Sequence, residues 1–193
     1  MKNLILSITM VFAFLLNASA QTTWNIDKNH STIGFSIDHM VVSEVDGKFD
    51  DFDGSLTASK DDLTDATISF SAKTASINTA NERRDGHLKS ADFFDAEKFP
   101  ELSFKSTSFD KVSDGKYKMT GDLTMHGVTK SVSLDVKFNG TVDTGKGVKA
   151  GFKVSGVIIR KDWGLTYNSV IESGGLAVGE EVTLDIKLEM NKG

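Results

Sequence analysis

Alternation of apolar and polar residues with a period of two runs through nearly the whole chain and restricts it to folds made of sheet. Ile33, Phe35 and Ile37 alternate with Gly34, Ser36 and Asp38, and Phe52, Gly54, Leu56 and Ala58 share a face of the next segment. Ala66, Ile68, Phe70 and Ala72 follow, then Leu102 and Phe104, then Tyr117, Met119, Gly121, Leu123 and Met125. Val132 to Phe138, Val148 to Ile158 and Val182 to Met190 complete the pattern. About eight strands are expected, several of roughly ten residues and each with one apolar face. Few residues remain for helices that could cover a sheet, so the apolar faces must meet one another. Long antiparallel strands favour a closed barrel over a sandwich, because closure removes exposed edges.

Turn chemistry marks the joints. Asp46-Gly47, Asp61-Asp62, Ser113-Asp114-Gly115 and the glycine-rich stretch from Asn139 to Gly147 are expected turns, and His126-Gly127 is expected at a hairpin tip. Arg160 to Glu181 reads as an irregular, loop-rich segment. Gly54, Ala58, Ala66, Ala72, Gly121, Ala150 and Gly156 fall at inward positions. Such small residues either leave room for a ligand or offset the large Phe and Met side chains opposite, and periodicity does not separate these readings.

One long segment breaks the alternation. Arg83 to Pro100 (RRDGHLKSADFFDAEKFP) holds the chain's single proline and phenylalanines at 93, 94 and 99. Asn78 or Thr79 is placed to cap a short helix running through His87, and Ser90 to cap a further turn containing Asp92 to Ala96. A helical crossover over about residues 79–96 is therefore expected to close one end of the barrel, with its phenylalanines turned inward.

Residues 1–20 are set apart by composition. Lys2 precedes an apolar run from Leu4 to Leu16, and Ala18-Ser19-Ala20 is a small-x-small cleavage signature. This is expected to be a cleaved secretory signal, leaving residues 21–193 as a single barrel domain in the periplasm. With no cysteine in the chain, neither a lipid anchor at the cleavage site nor disulfide support is expected. Removing Lys2 takes the formal charge from −5 to −6, without any basic block. Nucleic acid is thus a poor partner, since phosphate binding needs clustered Lys or Arg. No later segment approaches membrane-spanning length.

Motifs for chemistry are sparse. His30, His39, His87 and His126 show no metal-like spacing, and no cysteine is present to complete a site. The four aspartates in Asp46 to Gly54 lack the alternate ligands and distal glutamate of a calcium loop. Gly140 to Gly147 (GTVDTGKG) resembles a phosphate loop, but Gly147 replaces the Ser or Thr and a strand follows in place of a helix. No Gly-x-Ser-x-Gly elbow occurs. Neither a metal nor an organic cofactor is expected.

Several motifs in order carry a resemblance. They are Trp24-Asn25-Ile26-Asp27 with His30-Ser31, Phe35 to His39, Gly47-Lys48-Phe49 and Ser76-Ile77-Asn78-Thr79. Arg84-Asp85-Gly86-His87-Leu88, Ser90 to Asp95, Phe99-Pro100, Gly121 to Lys130 and Arg160 to Gly164 follow. Together they resemble the YceI-like lipid or polyisoprenoid-binding proteins over roughly Thr23 to Met190, with Trp163 where that family often has phenylalanine. The resemblance implies an all-β, extended lipocalin-like antiparallel barrel of eight strands, exported to the periplasm, whose apolar pocket holds an isoprenoid chain or similar lipid. On that reading the tail pocket is lined by Phe35, Ile37, Phe70, Phe93, Phe94, Met119, Leu123, Phe152, Val154, Ile158 and Leu184. Arg84, Asp85, His87, His126 and Arg160 are the candidates for the head group or pocket mouth, each with a structural hydrogen-bonding role as the alternative. The expected partner is an isoprenoid or other long-chain lipid, with a homodimer left open. Two other readings stand beside it: an enzyme acting on a lipid or envelope sugar through His87 or Asp85, and a structural module whose interior is filled by its own side chains.

Overall fold

The structure is a computed structural model, and it describes residues 21–170 and 176–193. The expected signal segment lies outside the described residues. In chain order the elements are β1 (Thr22–Ile26), β2 (Thr32–His39), β3 (Ser43–Phe49), β4 (Phe52–Ala58), β5 (Thr67–Lys73) and β6 (Ile77–Asn78). The helix α1 (Glu82–Lys89) follows, then β7 (Glu101–Ser113), β8 (Lys116–Met125), β9 (Val128–Asp143), β10 (Val148–Ile159) and β11 (Val178–Lys192).

These strands form one antiparallel sheet closed by the pairing of β1 with β11, giving an all-β barrel of 8 strand positions with one short helix. Three positions are filled by interrupted strands. β11 is long enough to pair with β2 from Val178 to Lys187 and with β1 from Met190 to Lys192. β3 and β4 continue each other across Asp50-Asp51 and pair with β2 and β1 in turn. β5 and β6 likewise lie along β4 and β3. Beyond Lys48↔Asn78 and Phe49↔Ile77, the outer edge of β3 has no strand partner among the described residues.

The alternating residues point where their pattern requires. Leu56, Ala72, Met119, Leu134, Val136, Phe152, Val154 and Met190 are all buried. One end is plugged by the turn after β4, where buried Leu63 and Ala66 enter the core and the Tyr117 hydroxyl donates to the Asp62 carbonyl at 2.8 Å. Across β1, β10 and β11 at that end, the Lys149 ammonium lies 2.9 Å from Asp27 and 2.6 Å from Glu189. The His30 ring adds a contact of 3.1 Å to Asp27. Ser31 completes this clasp, its hydroxyl donating to the Glu189 carbonyl and accepting from the Glu189 amide.

The turns follow expectation at His126-Gly127, where φ values of 50° and 73° close the β8–β9 hairpin. They depart from it at Asp46-Gly47. Those residues lie inside β3, and the chain reverses at Met40–Val42 instead. The reason is packing, since Gly47 pairs with Phe35 and a Cβ there would sit 2.3 Å from the Phe35 ring. The glycine receives an aromatic ring and bends nothing. The helix is capped by Asn81 and ends at Lys89, while the Ser90 segment forms hydrogen-bonded turns without a second helix. β11 begins at Val178, earlier than the expected end of the irregular segment.

Candidate functional site

The crossover after β6 is built around one buried threonine. Thr79 donates its amide and its hydroxyl to the same Asp85 oxygen, at 2.8 and 2.5 Å. Arg84 grips Thr79 from the other side, Nε donating to the hydroxyl at 2.7 Å and Nη2 to the carbonyl at 2.9 Å. The Asn81 side chain accepts the Arg84 amide at 3.0 Å, and Glu82 in the first turn and Lys89 in the last suit the helix dipole. Past the helix, Phe93 is buried and Phe94 meets Phe49 edge-on with centroids 6.2 Å apart.

Beneath this crossover the barrel encloses a cavity of about 350 Å³, within the ~300–1,000 Å³ range of small-molecule sites. Its wall is almost wholly apolar and draws on both hydrophobic clusters of the core, from Met125 and Ile158 near the crossover to Phe109, Phe152 and Met190 near the plugged end. All the charged and imidazole groups that reach it, Asp38, His39, Arg84, His87 and Arg160, come from the end where β2, the crossover and the start of β11 meet. Half-exposed His87 and Tyr167 form an edge-on pair there with centroids 4.7 Å apart, and Phe93 packs against both. The cavity therefore has an aromatic, polar mouth and an apolar, closed base.

Arg160 is the one buried charged side chain among the described residues, at 3% exposure. Its Nε donates to Gly179 O at 2.7 Å, Nη2 to Val178 O at 3.3 Å, and Nη1 to Leu165 O. Burial pushes its pKa below the ordinary arginine value, and the nearby Glu180 opposes that shift. The side chain clips the turn after β10 to the start of β11 while presenting a cation to the cavity wall. Trp163, 2% exposed, packs in the core cluster beside this turn and donates Nε1–H to Leu123 O at 3.0 Å.

All the side chains expected in a tail pocket (Phe35, Ile37, Phe70, Phe93, Phe94, Met119, Leu123, Phe152, Val154, Ile158 and Leu184) line this cavity. Of the expected mouth residues, Arg84, His87 and Arg160 line it, whereas Asp85 and His126 do not. Asp85 faces away from the cavity because Thr79 takes its carboxylate. His126 sits on the far side of the β8–β9 turn, its Nδ1 3.0 Å from Trp163 O and its ring against Phe99. Phe99, expected inward, is held there and does not reach the cavity. Asp38, His39, Leu165, Tyr167 and Val178 also line the wall, and sequence reasoning did not find them. The last three lie in or beside the irregular segment, where no periodicity exists to read.

The small inward residues mostly serve their neighbours. A Cβ on Gly121 would fall 2.4 Å from the Phe104 ring, and one on Gly156 would fall 2.6 Å from Leu134. A cluster of Asp27, His30 and Glu189 has metal-like ligand spacing, but the Lys149 ammonium already supplies its cation. Among the described residues, no helix is long and apolar enough to cross a membrane.

Comparison with known proteins gives a consistent picture. The family model described as "YceI-like domain" matches residues 24–190. UPF0312 protein SAS2572 of Staphylococcus aureus (strain MSSA476) is 36% identical over 175 residues, covering 88% of this chain and 98% of that protein. Burkholderia cenocepacia BcnA has a crystal structure that superposes with a TM-score of 0.75 at 19% identity, covering 85% of this chain and 98% of that one. A polyisoprenoid-binding domain from Saccharophagus degradans superposes with a TM-score of 0.61 at 15% identity, covering 88% and 98%.

Proposed function

Because the chain belongs to the YceI-like domain family, we propose that it is an exported, periplasmic carrier that holds a long-chain isoprenoid or related amphiphilic lipid inside the barrel. The observation that carries this reading is the cavity itself: an apolar interior with every charged and imidazole group gathered at one end. A lipid with a long hydrocarbon tail and a polar head has that same division. The domain from Saccharophagus degradans, named for polyisoprenoid binding, shares the fold and adds support. Each CH₂ that the tail moves out of water contributes about 0.8 kcal/mol, while ordering a flexible chain offsets part of it. Affinity therefore grows with tail length until the cavity is filled, and the mouth sets the orientation.

The head group meets Arg84, His87 and Arg160 in this reading. Arg84 already spends two donors on Thr79, so it arrives held in place. Export rests on the apolar run and small-residue cleavage signature of the first twenty residues. A binding role agrees better with the site than an enzymatic one. Asp85 is occupied by Thr79, and the His87 ring is directed to Asp92 at 3.0 Å.

Native mass spectrometry of the protein released by osmotic shock tests the whole reading. The expected result is a mature chain starting at Gln21 with a hydrocarbon-rich ligand of defined mass. A ligand-free protein that also fails to take up polyprenols from detergent micelles would sink it.

A further inference from the structure

Six of the nine most exposed large apolar side chains among the described residues gather at the cavity mouth: Met40, Val41, Val42, Tyr167, Val170 and Leu176. Apolar residues scattered singly over a surface need no explanation, but this concentration does. The β2–β3 turn supplies three of them in a row, with Val41 and Val42 at 75% and 87% exposure. The Met40 amide donates to Ala177 O at 3.0 Å, and Val170 bridges to Leu176, so the turn and these two residues share one surface. His39, one residue before the tip, lines the cavity, and so does Val178 opposite it.

The backbone of this tip runs against its sequence. Met40 and Val41 have φ of 51° and 66°, the left-handed conformation that a tight hairpin turn demands and that Asn-Gly meets without strain. A β-branched valine is among the worst residues for that position, and here it is exposed and unsupported by packing. Stability would select Asn-Gly. What Met-Val provides instead is apolar surface at the entrance.

We propose that this tip docks the mouth of the barrel on a lipid bilayer, so that a hydrocarbon chain passes between membrane and cavity without crossing water. The inference rests on the lipid-carrier reading above. A bilayer fits better than a protein partner because a handful of side chains offers far less than the roughly 800 Å² per partner of a stable protein interface. The charges flanking the tip are Asp38, Glu44 and Asp46. Lys48, further along β3, is paired with Asp50, and Lys161 with Glu180. The basic side chains at the mouth, Arg84, His87 and Arg160, line the cavity itself, so the tip's own surroundings are acidic and docking proceeds by apolar insertion into zwitterionic lipid.

The test uses the full mature protein, empty phosphatidylcholine vesicles and a dansyl-labelled polyprenol. Met40→Asn/Val41→Gly relieves the turn while removing its apolar surface, and Val42→Asp does the second without touching the left-handed residues. The double variant is expected to melt several degrees higher and to take up polyprenol from detergent micelles as the wild type does. Both variants are expected to lose vesicle co-sedimentation and vesicle-to-protein transfer at least tenfold, whereas raising the salt leaves wild-type docking unchanged. Wild-type vesicle association and transfer retained by both variants would overturn docking and leave the carrier reading standing. Failure of the wild type to take up polyprenol from micelles, with vesicle association intact, overturns the carrier reading instead. A wild-type dimer in analytical ultracentrifugation that the double variant dissolves also overturns docking, since the tip then binds a second copy.

Discussion

Gly47 shows how a single missing side chain shapes the cavity. The Phe35 ring lies over it, and a Cβ built there would come within 2.3 Å of Cζ and 2.8 Å of Cε2. Phe35 lines the cavity, so the free space lies inward. Gly47→Ala should drive the ring into that space, cost about 1–3 kcal/mol of overpacking strain, and weaken polyprenol binding several-fold. Adding Phe35→Leu should restore binding, which titration of both variants with a fluorescent polyprenol will check. An unchanged affinity in Gly47→Ala would mean that the ring moves elsewhere. The same residue explains one misreading, because Asp-Gly carries a strong local turn signal and only the partner across the strand overrides it. For Asp85 and His126 the structural alternative holds, and spacing could not have chosen it, for a related reason. A polar residue in a loop looks alike whether it faces a ligand or holds a backbone, and Thr79 and Trp163 O are invisible to spacing.

At the scale of elements, the clasp of Asp27, His30, Lys149 and Glu189 ties β1 to β10 and β11 where the barrel closes. The Lys149 ammonium, and after it the His30 ring, hold the Asp27 carboxyl well below the usual carboxylate range. A folded-state pKa below the unfolded one makes a stabilising contribution that is fully present above about pH 4 and fades as the pH falls through the folded value. Thermal midpoints measured from pH 6 to pH 2 should therefore decline on the acid side, and Asp27→Asn should flatten that decline while lowering the plateau. Identical slopes for both proteins would remove Asp27 from the account. The strands themselves were legible because each buries one face, and an alternating pattern survives any register. Their interruptions were not. The breaks between β1 and β2, β3 and β4, and β5 and β6 depend on which neighbour each half meets, and that is a property of the closed sheet. For the crossover, existence and place were readable from the lost alternation, whereas its ends rest on the Asn81 side chain accepting the Arg84 amide and the Ser90 hydroxyl donating to His87 O.

Across the whole molecule, the apolar walls of the barrel cavity lack partner atoms across it, and a bound tail would supply dispersion contacts there. Bound lipid should thus raise the thermal midpoint, by an amount equivalent to roughly 2.7 kcal/mol at a hundredfold excess over Kd. The rise should increase along a series of polyprenols and level off once the cavity is full, as scanning calorimetry would read directly. A midpoint indifferent to tail length would argue against an interior site. The closing pair has a separate consequence for how the molecule comes into being. Trp24 pairs with Lys192, so β1 is not enclosed until β11 has been made. A sheet sealed by its two most distant segments has a high contact order and gains little from partial assembly, and such chains fold in milliseconds to seconds. During synthesis the sheet therefore stays open until β11 has emerged, which would suit the passage through a translocation channel that the proposed export calls for.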